Sequence, residues 1–272
     1  MTPSTAVTKQ SEDTKALAPV NEPGVSGTYD SDDFVTPICS IVQPSSGSER
    51  GEPGKFWFPD GFTAEKLTEI IVLAFSGTRT LWAPKGEGDS VPVCRSPNRR
   101  DGMTTRPSLV IGEKEAKAQG MKDGSMVYIP CEVCPHFRDD KFGSDNWLCK
   151  PGYTLLLFEE ERGPFMFFVK GSAINPVKRT IVSPALMRIR QGQPAAPWRW
   201  THDFSLHMTE NDKGKFYVPD IKQSGDVEDA EAYLGMSQEM AGIIERQMEA
   251  SVIDEDEELR QATFVEAEEP GE

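Results

Sequence analysis

The residues best suited to chemistry are cysteines. They stand in V-C-R-S-P-N at Cys94, in I-P-C-E-V-C-P-H-F at Cys131 and Cys134, and in W-L-C-K-P-G-Y at Cys149. A C-x2-C pair with single cysteines before and after it can supply four thiolates to one tetrahedral ion, the donor set of structural Zn2+. Four sulfur ligands leave no open coordination position, so such an ion would act as a staple and not as a Lewis acid. His136 is a reserve ligand, and Trp147 fits as packing over the site. A redox reading of the pair would place it at a helix start in a βαβ unit, a context missing here. The fifth cysteine, Cys39, lies in the apolar run P-I-C-S-I-V and reads as a buried, inert thiol.

A second pattern combines cations with aromatic rings. Arg95, Arg99, Arg100 and Arg106 follow the first cysteine; Lys178, Arg179, Arg188 and Arg190 follow the strongest apolar runs; and Trp198-Arg199-Trp200 interleaves rings with a charge. Grooves that hold single strands put phosphates on Lys and Arg and stack bases on aromatic faces. The candidate binding residues are Trp82, Arg99, Arg100, Lys178, Arg179, Trp198, Arg199 and Trp200, whereas Phe165, Phe167 and Phe168 read as core. The partner so implied is single-stranded nucleic acid.

Enzyme signatures are missing from the sequence: no G-x-S-x-G, no G-x-x-x-x-G-K-[ST], no H-E-x-x-H and no G-x-G-x-x-G after a strand. His202 and His207, five residues apart on one strand-like run, point to opposite faces and read as surface or edge histidines. Asp139 and Asp140 sit in a polar loop. A non-enzymatic protein is expected.

The charge is unevenly placed. Residues 1–50 hold 3 Lys+Arg against 7 Asp+Glu, residues 51–222 hold 24 against 21, and residues 223–272 hold 2 against 16, within an overall net charge of −15. The acidity therefore belongs to the ends, and the middle is slightly basic. Five cysteines, no apolar run near ~18 residues and no signal-like start predict a soluble chain in a reducing, cytoplasmic compartment with no membrane partner.

Four segments follow. Residues 1–33, rich in Ser, Thr, Pro, Glu and Asp, are expected to be disordered. Residues 34–222 form the β-rich domain, with the zinc subregion at 94–149. Strands are predicted over 34–42, 126–129, 153–158 and 165–170. The runs 69–75 and 79–82 read as a hairpin across S-G-T. The runs W-R-W-T-H-D-F-S-L-H-M and K-F-Y-V-P flank the turn N-D-K-G as another hairpin. Short helices are predicted at 111–120 and at 177–190, the latter interrupted by Pro184. Many short strands with hairpin links and brief helices define a mainly β protein with minor α, read as a partly closed antiparallel barrel. Residues 223–250 carry Tyr233, Leu234, Met240, Ile243 and Ile244 at the spacing of an amphipathic acidic helix. Residues 251–272 are an acidic tail, expected to be disordered.

With I-V-Q-P-S-S near the start, V-C-R-S-P-N, C-E-V-C-P, W-L-C-K-P-G-Y, G-K-F-Y-V-P and the acidic end, the chain resembles the single-stranded DNA-binding proteins of bacteriophage replication modules. The resemblance implies an OB-like barrel with a zinc staple, and a role in DNA replication or recombination in a host-cell cytoplasm. It also implies docking of replication or recombination proteins through the tail. The alternative is a zinc-stapled structural or adaptor protein that binds a protein partner through its acidic helix and tail.

Overall fold

The computed structural model describes residues 20–22, 25–27, 36–46, 50–82, 92–136, 149–211, 214–238, 240, 242 and 244. Two units are present, residues 1–36 and 37–272. In the first, β1 (Val20–Glu22) and β2 (Val25–Gly27) form an antiparallel ladder. The rest of the segment expected to be disordered falls outside the described residues, as does the tail at 251–272.

The second unit is built around one long strand. Its strands are β3 (Ile38–Ile41), β4 (Phe56–Trp57), β5 (Thr63–Ala64), β6 (Lys66–Trp82), β7 (Pro92–Ser96), β8 (Asp101–Thr104), β9 (Val127–Pro130), β10 (Cys149–Glu159), β11 (Gly163–Lys170), β12 (Trp200–Asn211) and β13 (Gly214–Asp226). Helices α1 (Pro107–Ile111) and α2 (Glu113–Ala118) separate β8 from β9. Helices α3 (Ile174–Val177) and α4 (Ser183–Arg190) follow β11, joined by a π-helical turn at Lys178–Val182. Pro184 follows closely on this π-helical turn.

The chain is thus mainly β, and its described residues form a large mixed sheet of eleven strands in which only β11 and β3 run parallel. The sheet does not close, which corrects the OB-like barrel expected from the sequence. The physical reason lies in β6. One edge of it pairs with β10 along residues 71–81, while the other pairs with β12 at 66–71 and with β7 at 79–82. One strand spends its length on two different neighbours, so the sheet branches, and β13 pairs with β12 alone. The branch is eased by a bulge. Glu69 takes φ +57, its N–H donates to Asp203 Oδ1 at 3.2 Å, and Lys66 Nζ lies 3.0 Å from Asp203 Oδ2.

The hairpin expected at S-G-T is likewise absent. Ser76, Gly77 and Thr78 run straight on, opposite Thr154, Tyr153 and Gly152. Gly77 is there for space and not for a turn, because a Cβ on it would stand 2.7 Å from Arg99 Nε. By contrast, the paired strands β10–β11 and β12–β13 and the helix at α2 lie where the pattern places them, whereas the helical run from Ile174 to Arg190 continues through Pro184 without the expected interruption.

Burial on both faces explains the unbroken apolar run of β10. Leu155 and Leu157 join Leu67, Ile70, Val72, Phe165, Phe167 and Phe204 on one side, capped by Val177, Ile181 and Val182. Leu156 joins Ile71, Leu73 and Met166 on the other. That second side is covered by the C-terminal helical run, helical at 232–238 and again at 240, 242 and 244. It packs Tyr233, Met236, Met240 and Ile244 inward, and Ser237 Oγ donates to the Leu73 carbonyl at 2.7 Å. Cys39 is 1% exposed in the first cluster, and burial pushes its thiol up to about 12.

Candidate metal centre and groove

The four spaced cysteines line one cavity. Cys94 comes from β7, Cys149 opens β10, and Cys131 and Cys134 bracket a tight helical turn in which Cys134 N–H donates to the Cys131 carbonyl at 3.1 Å. Together they line a cavity of about 10 Å³, with Arg79, Leu81, Ser96, Gly102, Val110 and Ile129. That is roughly the room of one small sphere. A Cβ at Gly102 would stand 2.7 Å from Cys94 Sγ and 3.9 Å from Cys131 Sγ, so the absent side chain keeps the cavity open.

Burial raises the thiols of Cys94, Cys131 and Cys149, that of Cys149 to about 12, and the neighbouring thiols push Cys94 and Cys149 further up. The Cys94, Cys131 and Cys149 thiols so placed ionise together only beside a cation, and a divalent ion reverses the local preference outright. The donor set therefore fits a soft tetrahedral ion. Arg79, 8% exposed at the cavity, lies where it would offset part of the double negative charge of Zn2+ with four thiolates. Among the described residues no group of three or more His, Cys, Asp or Glu is drawn together closely enough to hold an ion as it stands. Trp147 lies outside the described residues.

On the other face of the same strands lies a groove of about 770 Å³. The register explains how one stretch of sheet serves both. Cys149 and Cys94 both pair with Leu81, and this cross-strand row faces the thiol cavity. One residue along, Lys150 and Arg95 both pair with Thr80, and this row lines the groove. Strand alternation sends Arg79 and Leu81 to the cavity and Thr78, Thr80 and Trp82 to the groove. Beyond them, β11 adds Phe168, opposite Thr154, and Lys170, opposite Gly152. Lys170 Nζ stands 5.6 Å from the centre of the Trp82 ring. At Asn175 the groove meets an open depression of about 530 Å³ lined by Pro176, Lys178, Arg179 and Ser183. Arg95, Lys150, Lys170, Lys178 and Arg179 thus line one surface, and no Asp or Glu is among its described lining residues, on a chain of net charge −15.

The residues expected to bind nucleic acid divide accordingly. Trp82, Lys178 and Arg179 lie on this surface. Trp198 is half-buried against the second core cluster, Arg199 pairs with Glu231 at 3.4 Å, and Trp200 lies under Arg188 at 5.5 Å, so this triplet lines neither cavity. Arg100 is exposed on the β7–β8 connection, where its carbonyl accepts from Cys131 N–H at 2.6 Å.

Arg99 turns inward. Its guanidinium lies 4.5 Å from the centre of the Tyr153 ring, with Nη2 donating to the Gly152 carbonyl at 2.7 Å and Nε to the Thr78 carbonyl at 3.4 Å. It clamps the floor of the groove from behind and is a positioning residue. Arg99→Ala is expected to cost about 2 to 4 kcal/mol of folding stability, from a charged hydrogen bond and the ring contact. Urea unfolding of the variant beside the parent measures this.

Sequence reasoning missed Phe168 and misjudged His202. Phe168 was expected in the core but is 40% exposed on the groove face; the period-2 pattern, with Phe165, Phe167 and Val169 buried on the other face, carries the signal. His202 was expected at the surface or an edge but is 2% exposed on β12, paired with Ile70 of β6, and burial lowers its pKa. His207, on the opposite face, is exposed as expected.

No family model, curated protein or solved structure matches this chain. No helix among the described residues is long and apolar enough to cross a membrane.

Proposed function

We infer that this protein binds single-stranded nucleic acid, single-stranded DNA foremost, along the groove from Trp82 to Arg179, and that Cys94, Cys131, Cys134 and Cys149 hold a structural Zn2+. The observation that carries the reading is a groove whose described lining residues include five cations, no carboxylate and two accessible rings, Trp82 and Phe168. Phosphates of a flexible strand would sit on Lys150, Lys170, Lys178 and Arg179, and unpaired bases would stack on the rings. A duplex hides its base faces and offers nothing for those rings. The adaptor alternative draws less support, because the acidic helix spends its apolar residues Tyr233, Met236, Met240 and Ile244 on its own core. The metal supplies rigidity and performs no reaction, with Gly102 leaving room for it and Arg79 balancing charge.

The test is a salt series with a short oligothymidylate. Affinity is expected to fall on a log–log plot with a slope of about −0.7 per phosphate contacted, reaching about −3 if four cations each hold one. A salt-independent affinity, or equal affinity for duplex and single strand, would count against the groove.

A further inference from the structure

We propose that metal binding and strand binding stabilise one another in this protein, because the thiol cavity and the groove are the two faces of the same three strands. This rests on the proposed function and goes beyond it by assigning the site a linked response to metal. The row Cys149–Leu81–Cys94 faces the cavity and the adjacent row Lys150–Thr80–Arg95 lines the groove, while Cys149 itself lines both. A ligand that fixes one row fixes the other, since consecutive residues of a strand cannot move independently.

A second link runs through the β7–β8 connection. Cys131 N–H is bonded to the Arg100 carbonyl at 2.6 Å, and the adjacent Arg99 is bonded to the Gly152 and Thr78 carbonyls of the groove floor. Ser76 Oγ also donates to the Pro97 carbonyl of the same connection. Loosening the thiol cluster would release this clamp, so Lys150, Arg95 and Trp82 would lose their common geometry. By contrast, Lys178 and Arg179 stand on the π-helical turn, away from the cysteine-bearing strands. Linkage is reciprocal: whatever factor the metal adds to strand affinity, the strand adds to metal affinity.

The experiment measures how fast a chelator strips zinc from the full-length, zinc-loaded protein, with and without saturating oligothymidylate. Bound oligonucleotide is expected to slow release about tenfold, a coupling of ordinary size expressed in the release step. At saturation, Lys178→Ala should keep that protection and Lys150→Ala should lose most of it, each variant's occupancy being confirmed by anisotropy. An unchanged release rate with oligonucleotide bound overturns the inference and leaves the function standing. Equal loss of protection in both variants overturns the route through the three strands. No binding to the zinc-loaded protein overturns the function and the inference with it.

Discussion

Replacing Cys131 by serine is expected to remove both the metal and the folded state of the region between β7 and β10. The thiol is 5% exposed and lines the cavity with the other three. Its backbone N–H anchors the β7–β8 connection through the Arg100 carbonyl. Structural zinc contributes about 10 to 16 kcal/mol in small domains, more than the whole stability of most folds, so losing one of four ligands outweighs any packing change here. Metal analysis should fall from about one equivalent to none, with loss of cooperative unfolding. Cys39→Ala is the internal control. That residue lies in the main core, and its substitution should leave the zinc content unchanged at a modest cost in stability. Zinc retained by the Cys131 variant at full equivalence would remove the four-thiol site.

The second large effect concerns the rings. Trp82→Ala and Phe168→Ala together are expected to cost about 2 to 6 kcal/mol of single-strand affinity, each ring carrying about 1 to 3. Folding should be little changed, because Phe168 is 40% exposed and Trp82 lies at the end of β6. Trp200→Ala, with its ring under Arg188 and outside both cavities, should leave affinity within a few tenths of a kcal/mol, in contrast to what the sequence pattern suggested. Fluorescence anisotropy with a labelled oligonucleotide reads all three. A larger loss from Trp200→Ala than from the double variant would move the site to the 198–200 segment.

The legibility of this chain in its sequence follows the range of the forces involved. That Cys94, Cys131, Cys134 and Cys149 line one cavity agrees with the spacing of V-C, C-x2-C and L-C, which suits a shared ligand set. The unbroken apolar run of β10 is compatible with burial on both faces or with a tightly curled sheet, and Leu155, Leu156 and Leu157 divide between two clusters. Local patterns could not show how β6 shares its edges. Gly77 has the composition of a turn, yet it runs straight through β6, and its missing side chain makes room for the guanidinium of Arg99 from the β7–β8 connection. The same long-range pairing decides which cations face the groove. Arg95 and Lys150 become neighbours through Thr80, although 55 residues of sequence separate them. Arg99 reads as a free cation in a list of basic residues, yet it is committed to backbone carbonyls. Trp198 reads as an exposed ring in a polar run, yet it completes a core.

Photo-crosslinking of the zinc-loaded protein to oligothymidylate, with the linked peptides mapped by mass spectrometry, tests the central claim most directly. The account expects crosslinks on Trp82 and Phe168, with the flanking Lys150 and Lys170 protected from acetylation by the bound strand. Crosslinks confined to Trp198–Trp200, or none under conditions where the oligonucleotide is bound, would contradict it.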